Sequence, residues 1–128
     1  MMTTPKFNSL TKVQEFRVKL YPKNYQASVL FYRNVLLFPV IKEWDRAADQ
    51  GTMFDTGLAI IELLHEGNPQ PVNGCDLSLE VADVWKLFKD LKQKAKIVFP
   101  LRDNEWGDSS FCVADPSGFE ITFFTKTE

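Results

Sequence analysis

The chain repeats its own pattern, and that repeat limits the fold more than any other feature. Two stretches share the order strand, helix, three strands, displaced by about 60 residues. Leu79 follows Leu20 by 59 residues, Asp83 follows Asn24 by 59, and Gly118 follows Gly57 by 61. Few identities survive, so the repeat lies in pattern more than in sequence. In the first unit Phe16, Val18 and Leu20 alternate with Arg17, Lys19 and Tyr21, as in a half-buried strand. Asn24 reads as the N-cap of a helix over about 25–36. Strands follow at 39–44, 51–55 and 58–64. In the second unit Leu77, Leu79 and Val81 alternate with Asp76, Ser78 and Glu80. Asp83 caps a helix to about Lys94, with Val84, Leu87, Phe88 and Leu91 on its apolar stripe. A strand at 97–99 and two more around Asp115-Pro-Ser-Gly118 complete the unit. One unit alone leaves a sheet face without a partner, and a second copy supplies one. The expected division is an extension at 1–13, a first module at 14–66, a linker at 67–74 and a second module at 75–126. Together the modules make one α+β domain.

Composition narrows the function classes. A chain of 128 residues with eleven phenylalanines can build one compact core. Its net charge of −2 gives no electrostatic footprint for nucleic acid or an anionic membrane. No run approaches the roughly 20 apolar residues of a membrane span, and residues 1–12 lack the apolar core of a signal peptide. Cys75 and Cys112 fit neither a zinc spacing nor a disulfide framework, so the cytoplasm is expected. Cys112 reads as a buried, inert thiol. The single histidine, His65, excludes a His-His pair within one chain and reads as exposed. Trp44 and Trp85 read as packing residues.

Four phrases carry a resemblance. They are the 16–21 strand leading to Phe31-Tyr32-Arg33-Asn34-Val35-Leu36; Phe54-Asp55-Thr56-Gly57 leading to Ile61-Glu62-Leu63; Leu77 to Val84; and Trp106-Gly107 through Asp115-Pro-Ser-Gly118 to Phe124. Together they resemble the vicinal-oxygen-chelate superfamily, which includes glyoxalase I, bleomycin-resistance and fosfomycin-resistance proteins and extradiol dioxygenases. The resemblance implies two βαβββ modules forming a curved, cup-like mixed sheet with helices outside. It also implies four metal-ligand positions in the cup, which fall here on Arg17, Glu62, Asp76 and Thr122. Asp76 lies 59 residues after Arg17, and Thr122 lies 60 after Glu62, in step with the repeat.

Only Glu62 keeps the ligand type that the resemblance implies. A guanidinium has no lone pair to give a metal, and a threonine hydroxyl is a poor ligand for a divalent ion. Two carboxylates facing an enclosed space need a countercharge. Arg17 is therefore expected to take the ion's place and to pair with Glu62, Asp76 or both. No metal and no cofactor are expected. Glu120 reads as a rim residue, one pleat from Thr122. Arg17, Lys19, Tyr21, Ile60, Glu62 and Asp76 form the first part of the expected ligand-binding set. Ser78, Trp106, Glu120, Thr122 and Phe124 form the rest, with Trp106 read either as stacking on a planar ligand or as packing on its own sheet. Glu62 and Asp76 are the candidate bases if a reaction is run. The leading reading is a metal-free protein that binds a small organic molecule, acting as a homodimer without nucleic-acid or membrane partners. One alternative is a metal-dependent lyase, isomerase, transferase or dioxygenase. The other is an interaction protein with a filled cup. Whether one chain or two build the cup stays open at this point.

Overall fold

The computed structural model describes residues 6, 8–66, 68–69 and 72–127. Parts of the expected extension (1–5 and 7) and linker (67, 70 and 71) lie outside the described residues. The first module runs β1 (Arg17–Leu20), α1 (Tyr25–Leu30) with a π-helical continuation (Phe31–Val35), β2 (Val40–Arg46), β3 (Asp49–Asp55) and β4 (Ile60–His65). The second runs β5 (Leu77–Glu80), α2 (Val84–Leu91), β6 (Lys96–Asn104), β7 (Asp108–Ala114) and β8 (Glu120–Lys126). Each forms an open four-stranded sheet, in the orders β1-β4-β3-β2 and β5-β8-β7-β6. The first strand of each sheet pairs parallel with the last, and the other pairs are antiparallel. The α+β architecture of two βαβββ modules is thus the one the repeat implies.

Both helices begin where the sequence says they should. The Asn24 side chain accepts the Ala27 N–H at 3.0 Å, and Asp83 accepts the Lys86 N–H at 2.9 Å. Such caps typically contribute about 1 kcal/mol. The first helix spans the expected range, but its last turn widens, with the Leu36 N–H reaching the Phe31 carbonyl at 3.0 Å. Leu37 then ends it at φ 61°. The second helix stops at Leu91, short of Lys94, because the Lys94 and Ala95 N–H groups both turn back to the Leu91 carbonyl.

Three local expectations are corrected. The strand expected at 97–99 runs to Asn104, through Pro100. It is an edge strand with register shifts around this stretch, so the missing proline N–H breaks no central ladder. Trp85 is 45% exposed, because it lies one residue off the Val84-Leu87-Phe88-Leu91 stripe. Phe16 is also exposed; it precedes β1 and contributes only its carbonyl, to the Ile60 N–H.

Cross-strand register divides each sheet into two faces. Val18, Leu20, Ile61, Leu63 and Phe54 share the helix-facing side of the first sheet. Phe111, Val113, Ile121 and Phe123 do the same in the second. The modules meet on this helix side. The Tyr32 hydroxyl, fully buried, donates to Asp115 Oδ2 at 2.8 Å across the junction. Asp115 Oδ1 also accepts the N–H groups of Ser117 and Phe119, each at 2.9 Å. The Lys23 N–H donates to the Ser117 hydroxyl at 3.1 Å. The Asp-Pro-Ser-Gly turn is therefore a joint between modules as well as a hairpin.

Candidate functional site

The opposite faces carry the candidate site, and each is built from alternating strand positions. On the first sheet, Arg17 and Lys19 of β1 lie beside Ile60 and Glu62 of β4, with Met53 across from Glu62. Glu62 is only 7% exposed. Arg17 Nη1 stands 3.6 Å from Glu62 Oε1, an ion pair just beyond hydrogen-bond length. The closer partner of Arg17 is Glu15, whose Oε2 accepts from Nε at 2.7 Å. The Glu15 hydrogen bond and charge are the main causes that raise the Arg17 pKa, with Glu62 adding less. The arginine side chain is 44% exposed. Arg17 thus lies over Glu62 as expected, but as a half-exposed bridge between two carboxylates rather than a buried plug. Gly51 sits on this face too, and the Trp44 ring covers it so closely that a Cβ would collide with the indole.

On the second sheet, Ser78 of β5 pairs with Thr122 of β8, and Thr122 with Cys112 of β7. Phe124 pairs with Ser110, and Ser110 with Arg102 of β6. A concave pocket of about 280 Å³ opens here, lined by Ser78, Phe99, Arg102, Trp106, Asp108, Ser110, Thr122 and Phe124. Asp76 and Glu120 are exposed and line a second depression with Val72, Asn73, Gly74 and Cys75. Burial raises the Cys112 thiol pKa, and the charges of Glu120 and Asp76 add to the effect. The thiol is buried, as read from the sequence. Tyr21 lies past the end of β1, in a cleft with Asp115 and Ser117 that adjoins the Asp76–Glu120 depression through Val72, Asn73, Gly118 and Phe119.

The expected residues therefore fall into separate groups. Arg17, Lys19, Ile60 and Glu62 share the first sheet, while Ser78, Trp106, Thr122 and Phe124 share the second pocket. Among the described residues, no ion pair or hydrogen bond links Arg17 or Glu62 to Asp76. Of the expected partners, Glu62, Asp76 or both, Arg17 meets Glu62 alone, and it bonds its sequence neighbour Glu15 more closely. Several lining residues escaped the sequence reading. Phe99 and Arg102 lie on a strand read as ending at residue 99, and Asp108 and Ser110 lie on β7. The bulge between Ile97 and Phe99 breaks the two-residue alternation that would have put Phe99 on the core face with Ile97.

The description Glyoxalase/Bleomycin resistance protein/Dioxygenase superfamily matches residues 14–123. The chain belongs to this superfamily. No curated protein matches it by sequence. Among solved structures, TioX from Micromonospora sp. ML1 is 24% identical, covers 89% of this chain and 99% of its own, and superposes with a TM-score of 0.74. A glyoxalase/bleomycin resistance protein/dioxygenase from Nocardioides is 17% identical, with coverages of 94% and 89% and a TM-score of 0.68. A superfamily member from Sphaerobacter thermophilus DSM 20745 is 15% identical, with coverages of 90% and 98% and a TM-score of 0.70. At these identities the likeness concerns the fold.

The donor set at the four ligand positions that the resemblance implies does not suit a metal. Arg17 has no lone pair to give, and its guanidinium lies 3.6 Å from the one carboxylate of the expected type. Among the described residues no three His, Cys, Asp or Glu side chains gather closely enough to hold an ion. The four positions do not fit a divalent cation. No helix among the described residues is long and apolar enough to cross a membrane.

Proposed function

We propose that this superfamily member binds a small organic molecule without a metal ion, in a cup whose halves come from two chains. The observation that carries this reading is the Arg17–Glu62 pair, a fixed positive charge at the position where the fold would seat a cation. A divalent ion there would meet direct repulsion from the guanidinium. The open pocket on the second sheet supports ligand binding over a filled, purely structural cup. The separation of the two free faces supports exchange between chains. Within one chain the modules join through their helix sides, at Tyr32 and Asp115. A second copy would bring the Arg17 face of one protomer against the Thr122 face of the other and complete both cups. Lys19, Asp76 and Glu120 then belong to the rim of the site. Free Cys75 and Cys112 suit a reducing compartment, and we place the protein in the cytoplasm, with neither nucleic acid nor membrane as partner.

The experiment is a melting-temperature screen of the full chain against small organic acids, bases and neutral aromatics, with and without prior chelation. A ligand that binds the folded state raises the melting temperature by mass action. Saturable shifts that survive chelation support the proposal. Shifts that appear only with added divalent metal overturn it. Sedimentation at several concentrations tests the exchanged cup, which requires a dimer.

A further inference from the structure

The pocket on the second sheet has a chemistry that narrows its ligand, and the inference rests on the binding role proposed above. We propose that the ligand is a planar aromatic molecule bearing an anionic group, with Arg102 as the residue that reads the charge. The Arg102 guanidinium carbon lies 3.9 Å from the centre of the Phe99 ring. The ring face attracts the cation and restrains the arginine side chain within the pocket. Among the described residues Arg102, like Arg33, has no carboxylate partner and donates no side-chain hydrogen bond, whereas Arg17 and Arg46 have carboxylate partners; Arg102 is the one that lines this pocket.

The one carboxylate in the pocket is already committed. Asp108 Oδ1 accepts from Asn104 Nδ2 at 2.7 Å, and Oδ2 accepts from Trp106 Nε1 at 3.0 Å. Asn104 Nδ2 also donates to the Ser110 hydroxyl at 2.8 Å. This small network of neutral donors leaves Asp108 its charge but occupies both its oxygens, and among the described residues Asp108 forms no ion pair with Arg102. The network also holds in place an indole that is 74% exposed. A tryptophan tethered by its N–H yet open to solvent on its ring is prepared for stacking. Phe99 and Phe124 supply further aromatic surface, and Ser78 and Thr122 add hydroxyls. An unpaired guanidinium beside aromatic rings selects a flat anion over a flat neutral molecule and over a compact aliphatic anion.

The test titrates the full-length protein with three probes, 2-naphthoate, 2-naphthamide and cyclohexanecarboxylate, followed by calorimetry and tryptophan fluorescence. Naphthoate should bind about tenfold or more tightly than either of the others, the fold-change typical of one charge-assisted hydrogen bond. Its affinity should fall as salt rises. Arg102→Met should erase the preference for naphthoate over naphthamide, and Arg102→Lys should keep part of it. Both variants should melt close to wild type, since Arg102 is exposed on an edge strand. Equal binding of naphthoate and naphthamide, or a preference that survives Arg102→Met, overturns the inference while leaving the cup as a small-molecule site. Failure of both naphthyl probes overturns the ligand class. The melting screen reads separately whether the cup binds any small molecule at all.

Discussion

At the scale of single residues, the most consequential contact is between Tyr32 and Asp115. It is a buried hydrogen bond joining the modules. Burial, followed by the Asp115 charge and hydrogen bond, raises the Tyr32 pKa far above the ordinary phenol value of about 10. Tyr32→Phe should cost about 1–3 kcal/mol near neutral pH, because Asp115 loses a donor in a buried site. Denaturant unfolding measures this. The pH dependence has a definite sign. The folded phenol stays protonated while the unfolded one ionises above about pH 10, so stability present below that pH is lost as it rises beyond. In Tyr32→Phe that loss should be shallower by about 1.4 kcal/mol per pH unit, the share of one proton. The two cysteines provide a second check. Exposed Cys75 should react quickly with a thiol reagent, while Cys112 should react only on unfolding, since burial raises its pKa and shields it. Arg17 and Glu62 provide a third. Arg17→Met strands a nearly buried carboxylate and should lower the melting temperature more than Glu62→Gln, which removes the charge that needed a partner.

At the scale of elements, legibility followed regularity. Strands with unbroken alternation, such as β1, β5 and β8, could be read from their residues, and so could both N-caps. Removing a cap, as in Asp83→Ala, should cost about 1 kcal/mol, read from the unfolding midpoint at constant slope. The features that alternation cannot express were hidden. The bulges in β6 moved Phe99 onto the free face and carried the strand past Pro100, so Arg102 was not visible as a site residue. The Arg17–Glu62 pairing was legible, because the superfamily resemblance put both side chains at ligand positions of one cup, where a guanidinium and a carboxylate would pair. The stronger hold of Glu15 on Arg17 was not, because Glu15 precedes the strand and its side-chain direction has no period. Gly51 gave no signal either. Its role depends on Trp44 of the adjacent strand lying across it, so Gly51→Val should push that indole away and destabilise the β2-β3 edge, seen as a lower melting temperature.

At the scale of the whole molecule, the repeat accounts for the architecture, and the joining of the modules accounts for where the site can lie. Two sheets that share a core on their helix sides leave two free faces, each with part of the expected chemistry: a guanidinium–carboxylate pair on one, an aromatic pocket on the other. The proposal that this chain works without a metal rests on the Arg17 guanidinium standing beside Glu62, the one carboxylate at the expected ligand positions that keeps the expected type. Metal analysis of protein purified without chelator, combined with melting curves in added zinc and manganese, tests it most directly. Only trace metal and no saturable shift in melting temperature are expected for the wild-type chain. A transition metal retained in proportion to the protein, together with a melting temperature that climbs to a plateau as that metal is added, would contradict it.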